Sequence, residues 1–320
     1  MTLLQTFLRA TAFRSPLLRT LLPAVGLAYG IQSLVAMPSI AVQSERFYDL
    51  SGSLTYLSCT ALSLYLPVLR ARAASSTGKL IEPLIGKITG ESLLNWRQVA
   101  MSAAIGLWAT RLGSYLFQRI MADGEDSRFE KIRGQPPKFF GAFMAQATWV
   151  SLCALPVIAL NALPRTAFAA MPHVLLTDVI GVSLFLFGFL FEIAADRQKN
   201  AWVQEKKQKK HSEEFLTRGL WSKSRHPNYF GEICLWTGIA TVAGGTLVRD
   251  AAQRGLGFAG GPAGRIGVLA MAAVSPAFVT FLLTKVSGIP LSENKYDKRY
   301  GDRKDYQEWK KNTPMLIPKF

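Results

Sequence analysis

The chain has 320 residues, of which 49% are hydrophobic and only 18% charged, with a formal net charge of +16. A soluble domain of this size carries about 25% charged residues, and here the charges are badly mixed: Thr20–Ser44 and Leu50–Leu69 have none, and Phe139–Arg165 has none before its last residue. Uncharged stretches of about 20 residues match the bilayer core when helical, which sets aside a soluble helical core and points the basic residues at anionic headgroups instead of nucleic acid.

Met1–Thr20 carries Arg9, Arg14 and Arg19 and no acid, a composition that suits either an organelle-targeting presequence or a basic flank to the first span. Spans are expected at about 17–39, 52–69, 98–118, 139–160, 172–194, 229–248 and 267–287, which makes an all-α polytopic transmembrane bundle of about seven helices. Pro23, Pro67, Pro156 and Pro276 fall inside them and read as kinks, because neighbouring helices in a bundle satisfy the freed carbonyls. Ala71–Arg97 is a polar loop with a short interfacial helix expected around Ile81–Leu94. Arg119–Lys138 carries both signs and the turn-prone Gly134-Gln135-Pro136-Pro137. Gly255–Gly267, with six glycines in thirteen positions, reads as a flexible surface loop.

Two segments are strongly basic. Asp196–Asn228 has nine Lys/Arg against four Asp/Glu, and Lys285–Phe320 has nine against five. Two intervening spans put both on one face, cytosolic by the positive-inside rule. Five spans further back, the N-terminus falls on the opposite face, against the preference of its three arginines. Cys59, Cys153 and Cys234 lie in apolar stretches without C-x-x-C spacing and read as small buried residues. His173, His211 and His226 are scattered, and neither H-E-x-x-H nor a G-x-G-x-x-G after a strand occurs. No metal site is therefore expected, and a nucleotide would be held by helix ends and loops.

Chemistry is concentrated where charge interrupts the spans. Arg111 stands in an apolar helix, where a charge costs about 2.5–3.5 kcal/mol on insertion scales; it is either an interfacial anchor or a partner for a ligand. Asp178 has no basic neighbour in its own helix. Glu192 and Asp196 share a helix face, and their repulsion calls for a donor-rich ligand or a structural arginine. Densest of all is Arg218–Glu232. Arg218, Lys223 and Arg225 suit phosphate oxygens, His226 suits proton transfer near neutral pH, and Pro227 opens a helix that carries Tyr229, Glu232 and Trp236 on one face.

Phe191–Lys199, Ser224–Glu232 and the ending Tyr306-Gln-x-Trp-x-x-x-Thr-x-x-Leu-Ile-Pro318, with Leu107–Gly113 and Gly124–Arg128, resemble the DUF1295 membrane family. That family is similar to the wider group of steroid 5-alpha-reductases, sterol reductases and isoprenylcysteine methyltransferases. The resemblance covers about residues 95–320, leaving 1–94 as a basic flank, two variable spans and a polar loop. It implies an NADPH-dependent reduction of an electron-poor carbon–carbon double bond in a lipid-like or steroid-like enone. Cofactor contacts are then implied for Asp196, Lys199, Arg218, Arg225, His226, Asn228, Tyr229 and Glu232, and catalytic roles for Arg111, Tyr115 and Tyr229. The family's ketone-binding tyrosine, three residues before Arg111, is Trp108 here. An indole is a poor proton donor, so Tyr115, one turn beyond Arg111, takes that place in the reading. The rival readings are an S-adenosylmethionine-dependent methyltransferase, which shares Arg-His-Pro-x-Tyr, and a lipid-binding membrane protein without catalysis. The partners expected are the bilayer and an apolar small molecule, with no nucleic acid. The wider group favours the endoplasmic reticulum, and the N-terminal arginines allow mitochondria or another organelle.

Overall fold

The structure is a computed structural model that describes residues 3–74, 94–126 and 128–319. The interfacial helix expected around Ile81–Leu94 lies, but for Leu94, outside the described residues. Among these residues all regular structure is helical: α1 (Leu3–Ala10), α2 (Pro16–Ala41), α3 (Tyr48–Ala74), α4 (Trp96–Asp123), α5 (Pro136–Asn161), α6 (Arg165–Ala169), α7 (Leu176–Lys207), α8 (Pro227–Leu247), α9 (Asp250–Leu256), α10 (Gly261–Phe281), α11 (Ile289–Tyr300) and α12 (Lys304–Asn312). Proline opens α2, α5 and α8, where its missing N–H costs nothing. Asn95 and Gln98 close a capping box at the start of α4. Pro23, Pro67, Pro156 and Pro276 all lie inside helices, as expected.

Six of the described helical segments are long and apolar enough to cross a membrane: Pro16–Ala41, Tyr48–Ala73, Pro136–Asn161, Leu176–Lys207, Pro227–Leu247 and Gly261–Tyr300. The protein is thus an all-α polytopic membrane bundle with about six candidate spans, one short of seven and within the six to eight that the sequence allows. The missing one is 98–118. Its helix α4 is present and 28 residues long, but Arg97, Arg111 and Arg119 divide its apolar sequence. The glycine-rich loop expected over Gly255–Gly267 is also corrected. α9 runs to Leu256 and α10 starts at Gly261, leaving a short connection. Gly257 takes the left-handed conformation that ends α9, with φ 88°, which glycine adopts without steric cost. The helix that carries the last span is followed by a π-helical turn, Leu282–Val286, and then by α11, whose Glu293, Lys295, Asp297, Lys298 and Arg299 are too highly charged for the bilayer core.

The chain divides into two compact units, Met1–Thr177 with Val242–Ser275, and Asp178–Thr241 with Pro276–Phe320. In the first, α2 packs on α3 and α5, and α3 on α4 and α5. Hydrogen bonds join these helices inside the apolar bundle. Gln32 Nε2 donates to Thr55 Oγ1 (2.8 Å), and its Oε1 accepts from Gln146 Nε2 (3.1 Å) and Ser51 Oγ (3.2 Å), a form of interhelical adhesion that does not depend on water exclusion. Outside the helices, Glu45 is buried and accepts from Arg133 (2.7 Å) and from the Asp126 amide (2.7 Å).

The second unit is built on an unusually close helix pair. Gly181 and Gly188 of α7 face Gly238 and Gly231 of α8, and a Cβ built on Gly188 lies 2.5 Å from the Gly231 carbonyl oxygen and from the Leu235 nitrogen. The backbones touch because neither helix has a side chain there, the usual way for membrane helices to gain contact. The chain after α7 folds back on it through a short 3-10 turn, Gly219–Ser222. Gln198 Oε1 accepts from the Leu220 amide (2.8 Å), and Trp221 Nε1 donates to the Ala195 carbonyl (3.0 Å). The C-terminal segment then lies along this turn, with Arg225 N donating to Pro314 O and Lys319 N to Lys223 O, both at 2.9 Å. These contacts bring the two basic segments together at one end of the unit, as their separation by two spans requires.

Candidate functional site

The junction of α7, the start of α8, α11 and α12 encloses a cavity of about 80 Å³. Lys199 reaches it from α7, with its ammonium 5.2 Å from the centre of the Trp221 ring. Arg225, His226, Asn228 and Tyr229 come from the turn into α8, placed there because Pro227 ends the extended segment and starts the helix. His226 and Tyr229 stack with rings 10° from parallel. Tyr296, Tyr306 and Trp309 supply aromatic walls from the C-terminal helices.

Glu293 of α11 organises the charge. Its Oε1 accepts from His226 Nε2 at 3.0 Å and lies 3.0 Å from Arg225 Nε, an ion pair without hydrogen-bond alignment; its Oε2 meets Lys310 Nζ at 3.0 Å. Arg225 also donates to the Lys310 carbonyl at 2.6 Å. Burial holds the His226 imidazole below its ordinary value, with Lys199 and Arg225 adding to the shift and Glu293 opposing it. At neutral pH it is therefore the neutral ring, donating through Nε2–H to Glu293. Burial together with the Asp297 acceptor raises the Tyr306 phenol well above its usual range.

Besides Arg225 Nε, two polar atoms of these lining residues have no hydrogen-bond partner among the described residues. The Asn228 Oδ1 and the Trp309 Nε1 are both shielded from solvent, and neither has a hydrogen bond among the described residues. A shielded acceptor or donor left alone costs about 1–3 kcal/mol. Both belong to residues that line the cavity. Arg225 and Tyr306 also line an open groove of about 580 Å³ with Asp297, Lys310 and Lys311; Lys310 is paired there with Asp297 and Glu293, and Arg225 with Glu293.

The structure therefore gathers five of the eight residues to which cofactor contacts were assigned: Lys199, Arg225, His226, Asn228 and Tyr229. Arg218 is elsewhere, paired with Glu213 (3.0 Å) and Glu205 (3.4 Å). Asp196 is buried and Glu232 half-buried, and neither lines this cavity. Arg111 and Tyr115 belong to the first unit, where the guanidinium lies 5.7 Å from the centre of the phenol ring. Trp108 is only 1% exposed there, held edge-on between Tyr56 and Trp149. Sequence reasoning missed Glu293 and Trp309 as site residues. Glu293 and Asp297, an i,i+4 acidic pair in a basic segment, were the available signal.

A helical membrane protein with a basic, aromatic cavity at one end of its second unit is the class these features define. The chain belongs to the DUF1295 family: the family model described as "Protein of unknown function (DUF1295)" matches residues 76–253 and 263–313. The interruption falls on the end of α9, the α9–α10 connection and the first two residues of α10. No curated protein and no solved structure matches the chain.

Proposed function

We propose that the protein is a membrane-embedded, NADPH-dependent reductase of a carbon–carbon double bond in a lipid-like or steroid-like enone. The observation that carries this reading is the convergence of Lys199, Arg225, His226, Asn228 and Tyr229 around one cavity, where the lining residues Asn228 and Trp309 each keep a shielded polar atom without a hydrogen bond among the described residues. An aromatic carboxamide fits those needs: its N–H groups suit Asn228 Oδ1 and its carbonyl suits Trp309 Nε1. The cavity is too small for an entire dinucleotide, so in this reading the phosphates lie on the Lys310–Lys311 groove. When bound, NADPH would supply a hydride to one alkene carbon, with a proton from water completing the reduction at the other. Tyr229 donates a hydrogen bond to the enone oxygen as negative charge builds there. Glu293 keeps His226 in the tautomer that leaves Nδ1 an acceptor, and the stacked His226 ring orients Tyr229.

The test is a titration of the detergent-solubilised full-length protein with NADPH and, separately, S-adenosylmethionine, read by tryptophan fluorescence. Wild type is expected to saturate with NADPH. Asn228→Ala, which breaks no hydrogen bond in the protein, is expected to weaken binding about tenfold, the equivalent of about 1.4 kcal/mol. Saturation by S-adenosylmethionine alone replaces the reductase with a methyltransferase. Binding of neither replaces both with a lipid-binding protein.

A further inference from the structure

The first unit holds a second cavity, about 350 Å³ in volume, at the level where α2 and α4 begin and α3 and α5 end. Its size falls within the roughly 300–1,000 Å³ of small-molecule sites. The walls are apolar, including Leu64, Pro67, Val68 and Leu163, and the lining contains three arginines, Arg19, Arg70 and Arg165, and no carboxylate. Arg70 donates to the carbonyls of Leu8 (2.8 Å) and Thr11 (2.9 Å) and to Thr11 Oγ1 (2.6 Å); Arg19 donates to the Phe13 carbonyl. Those partners are neutral. They satisfy N–H groups but leave the charge in place, and among the described residues no carboxylate pairs with any of the three. Arg70 Nε is shielded and has no acceptor. On the inner side Asn161 is fully buried. Its amide nitrogen is used by Ser63 (2.9 Å) and Ser102 (3.1 Å), while its Oδ1 has no donor.

We infer that this cavity binds a single-chain anionic amphiphile, with a phosphate at the three arginines, its chain along the apolar wall and a hydroxyl donated to Asn161. A phosphate supplies the counter-charge that no described carboxylate provides, and accepts bidentately from guanidinium. The apolar wall accounts for a chain, which free phosphate lacks. The site involves no residue of the cavity in the second unit and stands or falls without the reductase reading.

The full-length protein in detergent is titrated with oleoyl lysophosphatidate, oleoyl lysophosphatidylcholine and inorganic phosphate, with ligand retention read by native mass spectrometry. Lysophosphatidate is expected to bind about tenfold more tightly than its zwitterionic counterpart, the equivalent of about 1.4 kcal/mol. Arg19→Gln/Arg165→Gln removes that preference; both side chains are exposed, so the fold survives. Ala71→Trp, at an exposed lining position, fills the mouth and weakens both lysolipids. Equal affinity for the two lysolipids overturns the inference, as does an unchanged preference in the double variant. Competition by inorganic phosphate at the concentrations where lysophosphatidate binds also overturns it, because the apolar wall then contributes nothing.

Discussion

Gly188→Ala probes the α7–α8 crossing that brings Lys199 and Asn228 to one cavity. The added Cβ meets the Gly231 carbonyl oxygen and the Leu235 nitrogen at 2.5 Å and the Cys234 Cβ at 2.9 Å, whereas ordinary contact begins at 3.4 Å. Two of these obstacles are backbone atoms, so no rotamer change relieves them, and the helices must part by about 1 Å. Overpacking of this kind costs about 1–3 kcal/mol. Alanine recovers up to about 1 kcal/mol through helix propensity at either position, so Gly188→Ala is expected to be about 1–3 kcal/mol less stable than Gly30→Ala. The assay is thermal unfolding in detergent, with Gly30→Ala as the control, since a Cβ on Gly30 meets nothing within 4 Å. Gly188→Ala melting at or above wild type, level with Gly30→Ala, refutes the close crossing.

Glu293→Gln removes the carboxylate that meets Arg225, His226 and Lys310; unfolding is expected to show a loss of about 1.5–3 kcal/mol, the range for hydrogen bonds to charged groups. The depressed His226 pKa sets a pH dependence. Between its ordinary value of 6.5 and the lower folded value, the unfolded chain binds the proton more readily. Stability therefore falls as pH drops below 6.5 and the loss is complete below the folded value; melting curves at successive pH values measure it, and His226→Gln should flatten the trend. Gln146→Leu breaks the bonds to Gln32, Ser51 and the Tyr48 carbonyl and should cost about 0.6–2 kcal/mol per bond lost, again by unfolding. Under the reductase proposal, Tyr229→Phe is expected to lower kcat for enone reduction and leave NADPH affinity nearly unchanged; steady-state kinetics with parallel binding measurements decide between that and a purely structural tyrosine.

Most of the bundle was legible in the residues, because a membrane span is a local property: length, low charge and flanking arginines are read without knowing any neighbour. The departures follow the same logic. α4 is less apolar than the other long helices because it carries Arg111 among Gln98, Ser102, Ser114 and Gln118, and at its start Arg97 donates to the carbonyls of Pro172 and His173. Gly255–Gly267 resembled a loop by composition, yet the Cβ-free positions allow close approach, as where Gly255 meets Pro164.

For the cavity, the sequence by itself determined the Arg225–Tyr229 cluster and the helix start at Pro227, because both reside in one short segment. It did not determine that Glu293, Tyr306 and Trp309 would complete the lining. Those residues lie 60 or more positions away and arrive only when α11, α12 and the 314–319 segment fold back on the turn before α8. Only the tertiary structure decided which basic residues remained around the cavity, since charge alone does not separate Lys199 from Arg218. Arg218 is held by two nearby glutamates, and Lys199 lies on the aromatic wall. Partner geometry, set by how the helices cross, makes that distinction.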